Sequence, residues 1–361
     1  MLRSLLLFLM GTVLAFGQDQ SKLDSYWSMD LYGGSIIKHN KDVAQLVQAH
    51  PWGLMASYNF RTHGQNYWQQ VYGYPDWGFS LLYQDFDNTT LGQNIAVYGH
   101  YAFYFFKRHL QFKVGQGISY NTNPFDLEDN FKNTAFGSHL MSSTFFLLNY
   151  QQRITAVLGV HAGLGLLHHS NGNSRAPNNG NNMVLFNVGA SYDFDTETVY
   201  EYQRQDRQDF SEPVHFNAVF RIGWNESDYL SLGQHPFIAI GAYADKRLGY
   251  TSSVLLGAEY FYSEALATEI DYVEAAFPNR VDGSENASRI GLFAGHELHL
   301  GAISVPAHLG YYVYWPYEYQ SRVYARIGVK YKFYKNLFAT ISLKAHGAKA
   351  EGIEWGIGYR I

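Results

Sequence analysis

The 361-residue chain contains no cysteine, so it can form no disulfide and has no thiolate for catalysis or metal binding. Charged residues make up only 16% of it, and the formal charge of −5 includes no basic block, which disfavours nucleic acid as a partner. After residue 17 no segment reaches the roughly 18 consecutive apolar residues that a membrane helix needs. These absences argue against thiol enzymes, nucleic-acid-binding proteins and helical membrane proteins.

The first 17 residues have the pattern of a secretory signal peptide. Arg3 precedes the apolar run LLLFLMGTVLAF, and the small residues Ala15 and Gly17 flank Phe16 just before Gln18. This run is too short to span a bilayer, which disfavours an uncleaved membrane anchor. The sequence therefore predicts an exported protein whose mature part is residues 18–361.

Aromatic residues and glycine are abundant, with 30 Tyr, 25 Phe, 7 Trp and 34 Gly. Many segments alternate apolar residues with small, charged or aromatic ones, as in the late segment where Val323, Ala325 and Ile327 alternate with Arg322, Tyr324 and Arg326. Two-residue periodicity with an apolar outer row and aromatic girdles is typical of outer-membrane barrels. We predict an all-β, transmembrane, antiparallel up-and-down β-barrel in the bacterial outer membrane.

Sixteen strand-like segments can be identified, and about 14 to 16 strands are expected because their boundaries are soft. Their connections alternate between short turns and longer loops, as in outer-membrane barrels, but the connections 63–73 and 195–212 are too long for the short side. We favour one barrel, with a split into two smaller barrels at residues 195–212 as the alternative. The predicted strands are 25–37, 51–62, 74–85, 91–105, 109–120, 136–149, 153–170, 182–194, 213–224, 235–244, 248–262, 287–299, 301–314, 321–334, 336–346 and 352–361.

Catalytic-type side chains gather where the seventh predicted strand ends, in the run HHSNGNSRAPNNGNN at residues 168–182. His168 and Ser170 continue the apolar row of that strand, and Asn182 begins the apolar row of the next. Because alternate residues of a strand share a face, two adjacent strands would place these three side chains together on the lipid-facing outer rim.

This arrangement predicts a serine esterase. His168 would act as the base, Ser170 as the nucleophile and Asn182 as the group that orients the imidazole. Asn171 and the backbone amide of Gly172 are the candidate oxyanion donors. Arg175 could contact a lipid phosphate, although a solvated loop charge is an equally good interpretation.

The site segment resembles that of the lipid A 3-O-deacylases, outer-membrane barrels related to acyloxyacyl hydrolases. The resemblance rests on the run His168–Asn171 and on Pro177-Asn178-Asn179-Gly180, and it extends over residues 25–195. It implies removal of an ester-linked acyl chain from lipid A by a His base and a Ser nucleophile, with Glu as the third residue. Here Asn182 stands at the Glu position, and the additional strands of residues 213–361 have no counterpart in the resemblance.

The same residues also resemble outer-membrane phospholipase A, which uses a Ser-His-Asn triad, and only this alternative implies calcium. That family has Trp before and Arg after its Asn, where this chain has Asn181 and Met183, so we rank the deacylase first. No cofactor or metal is expected under that interpretation. The expected partner is outer-leaflet lipid, lipid A or lipopolysaccharide, a homodimer is compatible with the sequence, and a non-catalytic channel or structural barrel is the competing class.

Overall fold

The computed structural model describes residues 24–38, 41–195, 201–206 and 210–361, so the predicted signal peptide lies outside the described residues. These residues fold into two closed antiparallel barrels of eight strands each. The first barrel consists of β1 (Ser25–Ile36), β2 (Trp52–Phe60), β3 (Asp76–Asp85), β4 (Gln93–Phe105), β5 (Leu110–Asn121), β6 (Leu140–Arg153), β7 (Leu158–Ser170) and β8 (Asn181–Asp193). The second consists of β9 (Val214–Glu226), β10 (Gln234–Arg247), β11 (Ser252–Ser263), β12 (Ser288–Leu300), β13 (Ile303–Tyr314), β14 (Val323–Tyr334), β15 (Leu337–His346) and β16 (Lys349–Arg360).

The described ranges also contain three helices, α1 (Lys41–Ala44), α2 (Tyr67–Val71) and α3 (Glu264–Ala276). None of these helices has the length and apolar character needed to cross a membrane. All three lie in connections between strands. The strands therefore carry the architecture.

The all-β barrel fold and the sixteen strands are confirmed, but the chain forms two barrels and not the single barrel that we favoured. In the first, β8 returns to pair with β1, with Tyr26 opposite Asp193. In the second, β16 returns to pair with β9, with Trp355 opposite Ile222. Because each sheet closes on its own first strand, neither barrel has an unpaired edge with which to join the other.

The two unusually long connections both belong to the contact between the barrels. The connection at residues 63–73 contains α2, and the hydroxyl of Tyr72 donates to the carbonyl of His299 in the second barrel over 2.9 Å. Part of the connection at residues 195–212 lies against the same region, because the amide of Gln203 donates to the carbonyl of His63 over 2.7 Å. We call this end of the molecule, where β9 begins and β16 ends, the turn rim, and the opposite end the loop rim.

The strands present an apolar row outward and a mixed row inward, as the alternation predicts. On β7, the outward-facing Leu164 and Leu166 are 62% and 49% exposed, whereas the inward-facing Leu167 is 1% exposed. Most exposed residues of the other strands, such as Phe186 on β8 and Trp355 on β16, are likewise apolar or aromatic. The outer surface is therefore apolar across both barrels.

The interior of the first barrel combines apolar clusters with many buried polar side chains. One cluster occupies the middle of the barrel and a second one closes the loop rim. Buried polar groups complete the packing, including Asp30 with His161 (2.7 Å) and Lys113 with Ser57 (2.7 Å). The first cluster comprises Tyr32, Met55, Leu82, Ala96, Tyr98, Phe145, Leu147, Leu167, Met183 and Leu185, and the second Ile36, Val43, Leu46, Phe86, Leu91, Ala135, Phe136 and Met141.

The interior of the second barrel is crossed by ion pairs. Arg326 is bound by Glu259 at 2.5 Å and by Glu354 at 2.6 Å, and all three are buried. Arg289 pairs with Glu351 in the same interior. Helix α3 covers the loop rim of this barrel with its buried face, and Ser263 caps its first turn by accepting a hydrogen bond from the amide of Leu266. An eight-stranded barrel is narrow enough for such side chains to fill, so both interiors are packed.

Candidate active site

The pairing of β7 with β8 brings His168 and Asn182 together. The two residues are direct cross-strand partners. Their side chains share one face because residues opposite each other in an antiparallel pair have Cβ atoms about 4.5–5.5 Å apart. His168 Nδ1 lies 2.7 Å from Asn182 Oδ1. Since an amide oxygen only accepts, this contact assigns the proton to Nδ1 and leaves Nε2 as the basic nitrogen.

His168 lies on the outer face of the barrel, in phase with the exposed Leu164 and Leu166. The neighbouring His169 has the opposite phase: it points inward, is completely buried, and contacts Gln84 Oε1 through Nε2 at 2.8 Å. The adjacent histidines therefore have different environments, and only His168 shares its face with Ser170.

Ser170 ends β7 on the same face as His168, but the following loop covers it to 8% exposure. Its hydroxyl lies 3.1 Å from Oδ1 and 3.0 Å from Nδ2 of Asn178, and it accepts a hydrogen bond from the amide of Gly172 over 3.1 Å. In this arrangement the described hydrogen bonds of Ser170 go to the loop, not to His168. Catalytic hydrogen bonds are often long before substrate binds, so the resting contact with Asn178 is compatible with a nucleophilic role.

Gly180 marks the place where the two side chains converge. A methyl group at this position would lie 3.4 Å from His168 Cε1, 3.5 Å from Ser170 Cβ and 3.2 Å from the carbonyl oxygen of His169. The residue also has a φ of +67°, which glycine adopts without strain. A methyl group here would therefore press on the His169 carbonyl and touch both His168 and Ser170.

The turn after Ser170 fixes one of the two predicted oxyanion donors near the Ser170 hydroxyl. Gly172 and Asn173 both have a φ of +66°, and the amide of Ser174 donates to the carbonyl of Asn171 over 3.3 Å, the pattern of a type I′ turn. This turn aims the Gly172 amide at Ser170. The Asn171 side chain instead donates to the carbonyl of Arg175 over 2.7 Å.

Asn178 contacts the site in a way that periodicity did not predict. Its Oδ1 accepts from the backbone amide of Asn171 at 3.0 Å, besides contacting the Ser170 hydroxyl. The segment around it is fastened to the loop between β5 and β6, since the amide of Gly180 donates to the carbonyl of Ala135 over 3.1 Å. The only signal in the sequence was the Pro177-Asn178-Asn179-Gly180 run, to which no role could be given.

Charged groups are few around the site. Arg175 is exposed on the loop, and its charge is one of the smaller influences on the pKa of Asp126, which is lowered chiefly by hydrogen bonds from the backbone amides of Asp129 and Glu128. Asn182 occupies the position next to His168 where a carboxylate would stabilise an imidazolium. Within the described ranges no group of three or more His, Asp or Glu residues is arranged to hold a metal ion.

Two protein-family models match the chain. The model described as lipid A 3-O-deacylase (PagL) matches residues 52–191, and the model described as acyloxyacyl hydrolase, C-terminal domain, matches residues 214–361. The first range contains His168, Ser170 and Asn182, and the second contains all eight strands of the second barrel. The chain belongs to the lipid A 3-O-deacylase family. The second barrel, which the sequence resemblance left without a counterpart, corresponds to the acyloxyacyl hydrolase C-terminal domain.

Other comparisons add little to the family assignment. No curated protein matches the chain. Among solved structures, a triple mutant and a double mutant of the Rhodopseudomonas blastica porin align with 94% of this chain and 100% of their own, at 9% and 10% identity, each with a TM-score of 0.20.

Membership of the lipid A 3-O-deacylase family implies a hydrolase of the lipid A deacylase type. Together with the barrel fold, it also indicates an outer-membrane protein. Neither the roles of individual residues nor the orientation of the loop rim towards the outer leaflet follows from membership alone.

Proposed function

We propose that this protein is an outer-membrane serine esterase that removes an ester-linked acyl chain from lipid A in the outer leaflet. Ser170, His168 and Asn182 would form its site at the loop rim, facing the lipid. The observation that carries the proposal is the 2.7 Å contact between His168 and Asn182 on the apolar outer face, two residues along the strand from Ser170. Such a face is where an acyl chain, and not a water-soluble substrate, would approach.

The reaction follows from the protonation that this contact assigns. His168 Nε2 takes the proton of Ser170 as Oγ attacks the ester carbonyl. When the tetrahedral intermediate collapses, the bond to the sugar oxygen breaks and His168 gives the proton to that oxygen, which leaves as a hydroxyl. Water activated by the same nitrogen then cleaves the acyl-serine ester, which releases the fatty acid and restores Ser170. Asn182 keeps the imidazole in the required tautomer and orientation.

The negative oxygen of the tetrahedral intermediate needs hydrogen-bond donors. The Gly172 amide, already 3.1 Å from Ser170 Oγ, is the donor we assign to it. The Nδ2 group of Asn178, at 3.0 Å from the same oxygen atom, is the second candidate. Asn171 fits this role less well because its side-chain amide is used by Arg175. Loss of one oxyanion donor typically costs about 10²–10³ in rate.

The acyl chain would lie along the exposed apolar row below the site, which Leu166 and Leu164 form on β7 and Val184 and Phe186 form on β8. In the membrane these side chains already contact lipid tails. A lipid could therefore reach Ser170 by lateral diffusion, without leaving the bilayer.

The proposal is tested by mass spectrometry of lipid A and phospholipids from Gram-negative cells that express the wild type or Ser170→Ala. We expect the wild type to remove one ester-linked acyl chain from lipid A, and the Ser170→Ala variant to lose at least about 10³-fold in rate because the nucleophile is gone. Lysophospholipid as the product would favour the phospholipase A alternative. No change in either lipid pool, with the protein folded in the outer membrane, would support a non-catalytic barrel.

Asn182→Ala provides a graded test of the same site. The variant keeps the base and the nucleophile but loses the group that orients the imidazole, so we expect a smaller loss than for Ser170→Ala, of roughly tenfold to a hundredfold in kcat. Turnover of purified lipid A in detergent micelles measures it. A loss as large as that of Ser170→Ala, or none, would contradict an orienting role.

A further inference from the structure

The loop that carries the site is attached to the second barrel. The amide of Glu226 donates to the carbonyl of Asn173 over 3.0 Å, and the side-chain amide of Asn173 donates back to the carbonyl of Glu226 over 2.9 Å. Glu226 is the last residue of β9, and Asn173 lies three residues after Ser170. A residue of the second barrel is therefore hydrogen-bonded in both directions to the turn that follows the nucleophile.

Two side chains at the loop rim of the second barrel hold the rest of the site loop. The Glu226 carboxylate accepts a hydrogen bond from the amide of Ala176 at 2.5 Å, and Gln234 Nε2 donates to the carbonyl of Ser174 at 2.6 Å. Glu226 and Gln234 are cross-strand partners on β9 and β10. One rung of the second barrel thus fixes three successive parts of the loop.

The outer face of the second barrel also limits where Gly172 can lie. A methyl group on Gly172 would be 2.4 Å from Cγ1 of Ile353 and 3.4 Å from Cδ1 of Leu343. Both contacts come from strands of the second barrel, β16 and β15. The Gly172 backbone is therefore confined between Ile353 on one side and Ser170 on the other, where its amide reaches the nucleophile.

From these contacts we infer that Glu226 and Gln234 are positioning residues for the Ser170–Gly172 turn, so that the second barrel forms part of the active site. Glu226 acts through Asn173 and Ala176, and it does not touch the reacting atoms. The inference rests on the proposed function for its catalytic consequence. Its structural part, that Glu226 immobilises the loop, can be measured separately.

The experiment compares Glu226→Ala with Glu226→Gln in the full chain. In Glu226→Ala the Ala176 amide loses its acceptor, and hydrogen bonds to charged groups are among the stronger ones, so we expect kcat on lipid A micelles to fall roughly tenfold with KM within about twofold. Hydrogen exchange of the 171–180 peptide should rise by a similar factor. Glu226→Gln keeps an oxygen acceptor at the same place and should restore most of both properties.

Asp228→Asn serves as the matched control. Asp228 lies on the same rim, where it accepts hydrogen bonds from Gln320 and Lys349 of its own barrel. Its substitution should change neither kcat nor exchange of the loop. Gln234→Ala, which removes a single neutral contact, should produce a smaller version of the Glu226→Ala effect.

The outcomes separate the two proposals. Wild-type kcat and wild-type exchange in Glu226→Ala would overturn the inference, as would a loss of kcat without faster exchange in the loop. Faster exchange in a protein whose wild type deacylates nothing would overturn the proposed function while supporting the positioning of the loop. If Glu226→Ala does not fold, as judged by heat-modifiable migration in gels, kcat and hydrogen exchange of Gln234→Ala decide the inference instead.

Discussion

The two barrels have the same strand number and closure but fill their interiors differently. The first combines apolar clusters with hydrogen-bonded buried polar groups such as His100 and Lys113, whereas the second contains the ion pairs of Arg326 with Glu259 and Glu354. The catalytic-type residues lie on the outside of the first barrel, and the second barrel contributes a rim that holds their loop. Eight-stranded barrels can therefore support a rigid rim with interiors of quite different composition.

The largest expected difference between the interiors is in stability. Arg326→Met removes the closer of the two arginines that pair with Glu259 and Glu354, which then pair only with Arg221, at 3.2 and 3.8 Å, and breaking a buried pair in this way typically costs about 3–5 kcal/mol. Lys113→Met in the first barrel removes one hydrogen bond to the Ser57 hydroxyl, which keeps its 2.8 Å contact with Ser80, so about 1 kcal/mol is expected. Denaturant unfolding of both variants in detergent measures the difference. Equal losses of stability would mean that the two interiors respond alike.

A second comparison concerns glycines with positive φ at the two loop rims. Gly180→Ala introduces strain of about 1–2 kcal/mol and presses on the His169 carbonyl between His168 and Ser170, so we expect lower stability together with a loss of kcat of about tenfold or more. Gly347, with a φ of +60° between β15 and β16, has open space around the position of a methyl group. Gly347→Ala should therefore cost similar stability and leave kcat unchanged. A loss of kcat in both variants would indicate a general effect of strain.

The smallest expected effects concern pH, and they have opposite signs in the two barrels. Burial raises the pKa of Glu269 on α3 above its ordinary value of 4.5, although hydrogen bonds from Ser227 and Tyr317 partly offset this. The folded state then binds the proton more tightly than the unfolded state, so stability is lost as pH rises through the raised pKa. In the first barrel, amides of Asp129 and Glu128 lower the pKa of Asp126 below 3.8, so stability there is lost as pH falls through the lowered pKa.

Hydrogen-exchange protection measured across pH 3–7 would reveal both trends. We expect protection of α3 to decrease above about pH 4.5, and protection of the loop around Asp126 to decrease below about pH 3.8. Glu269→Gln removes the titrating group but keeps an acceptor for Ser227. The trend in α3 should then disappear while the trend around Asp126 persists, and a persistent trend in α3 would exclude Glu269 as its source.

Most of the fold could be predicted from the sequence because strand alternation is a local property. The same row that contains Leu164, Leu166 and His168 predicted the strand, its outward face and the pairing with Asn182. Closure is not local, since nothing in β8 itself specifies β1 as its partner. The available signal was the two long connections at 63–73 and 195–212, which interrupt the alternation of short turns and long loops at the places where the barrels touch.

The site was predictable only as far as the strands extend. Periodicity fixes the phase of His168, Ser170 and Asn182, but Asn178 lies in a loop with no period, and its contact with Ser170 depends on how that loop folds back. Glu226 is still less accessible to sequence reasoning. It is 56 positions from Ser170 in the chain and reaches the loop only because two separately closed barrels lie side by side.

Closure of each barrel on its own first strand has a consequence for assembly. Each barrel begins and ends on neighbouring strands at the turn rim, so a single covalent crossing joins two topologically independent units. A membrane insertion machinery could complete one unit before the other has been delivered. By the same reasoning, a cut in the crossing would leave two closed units that still contact each other through their loops.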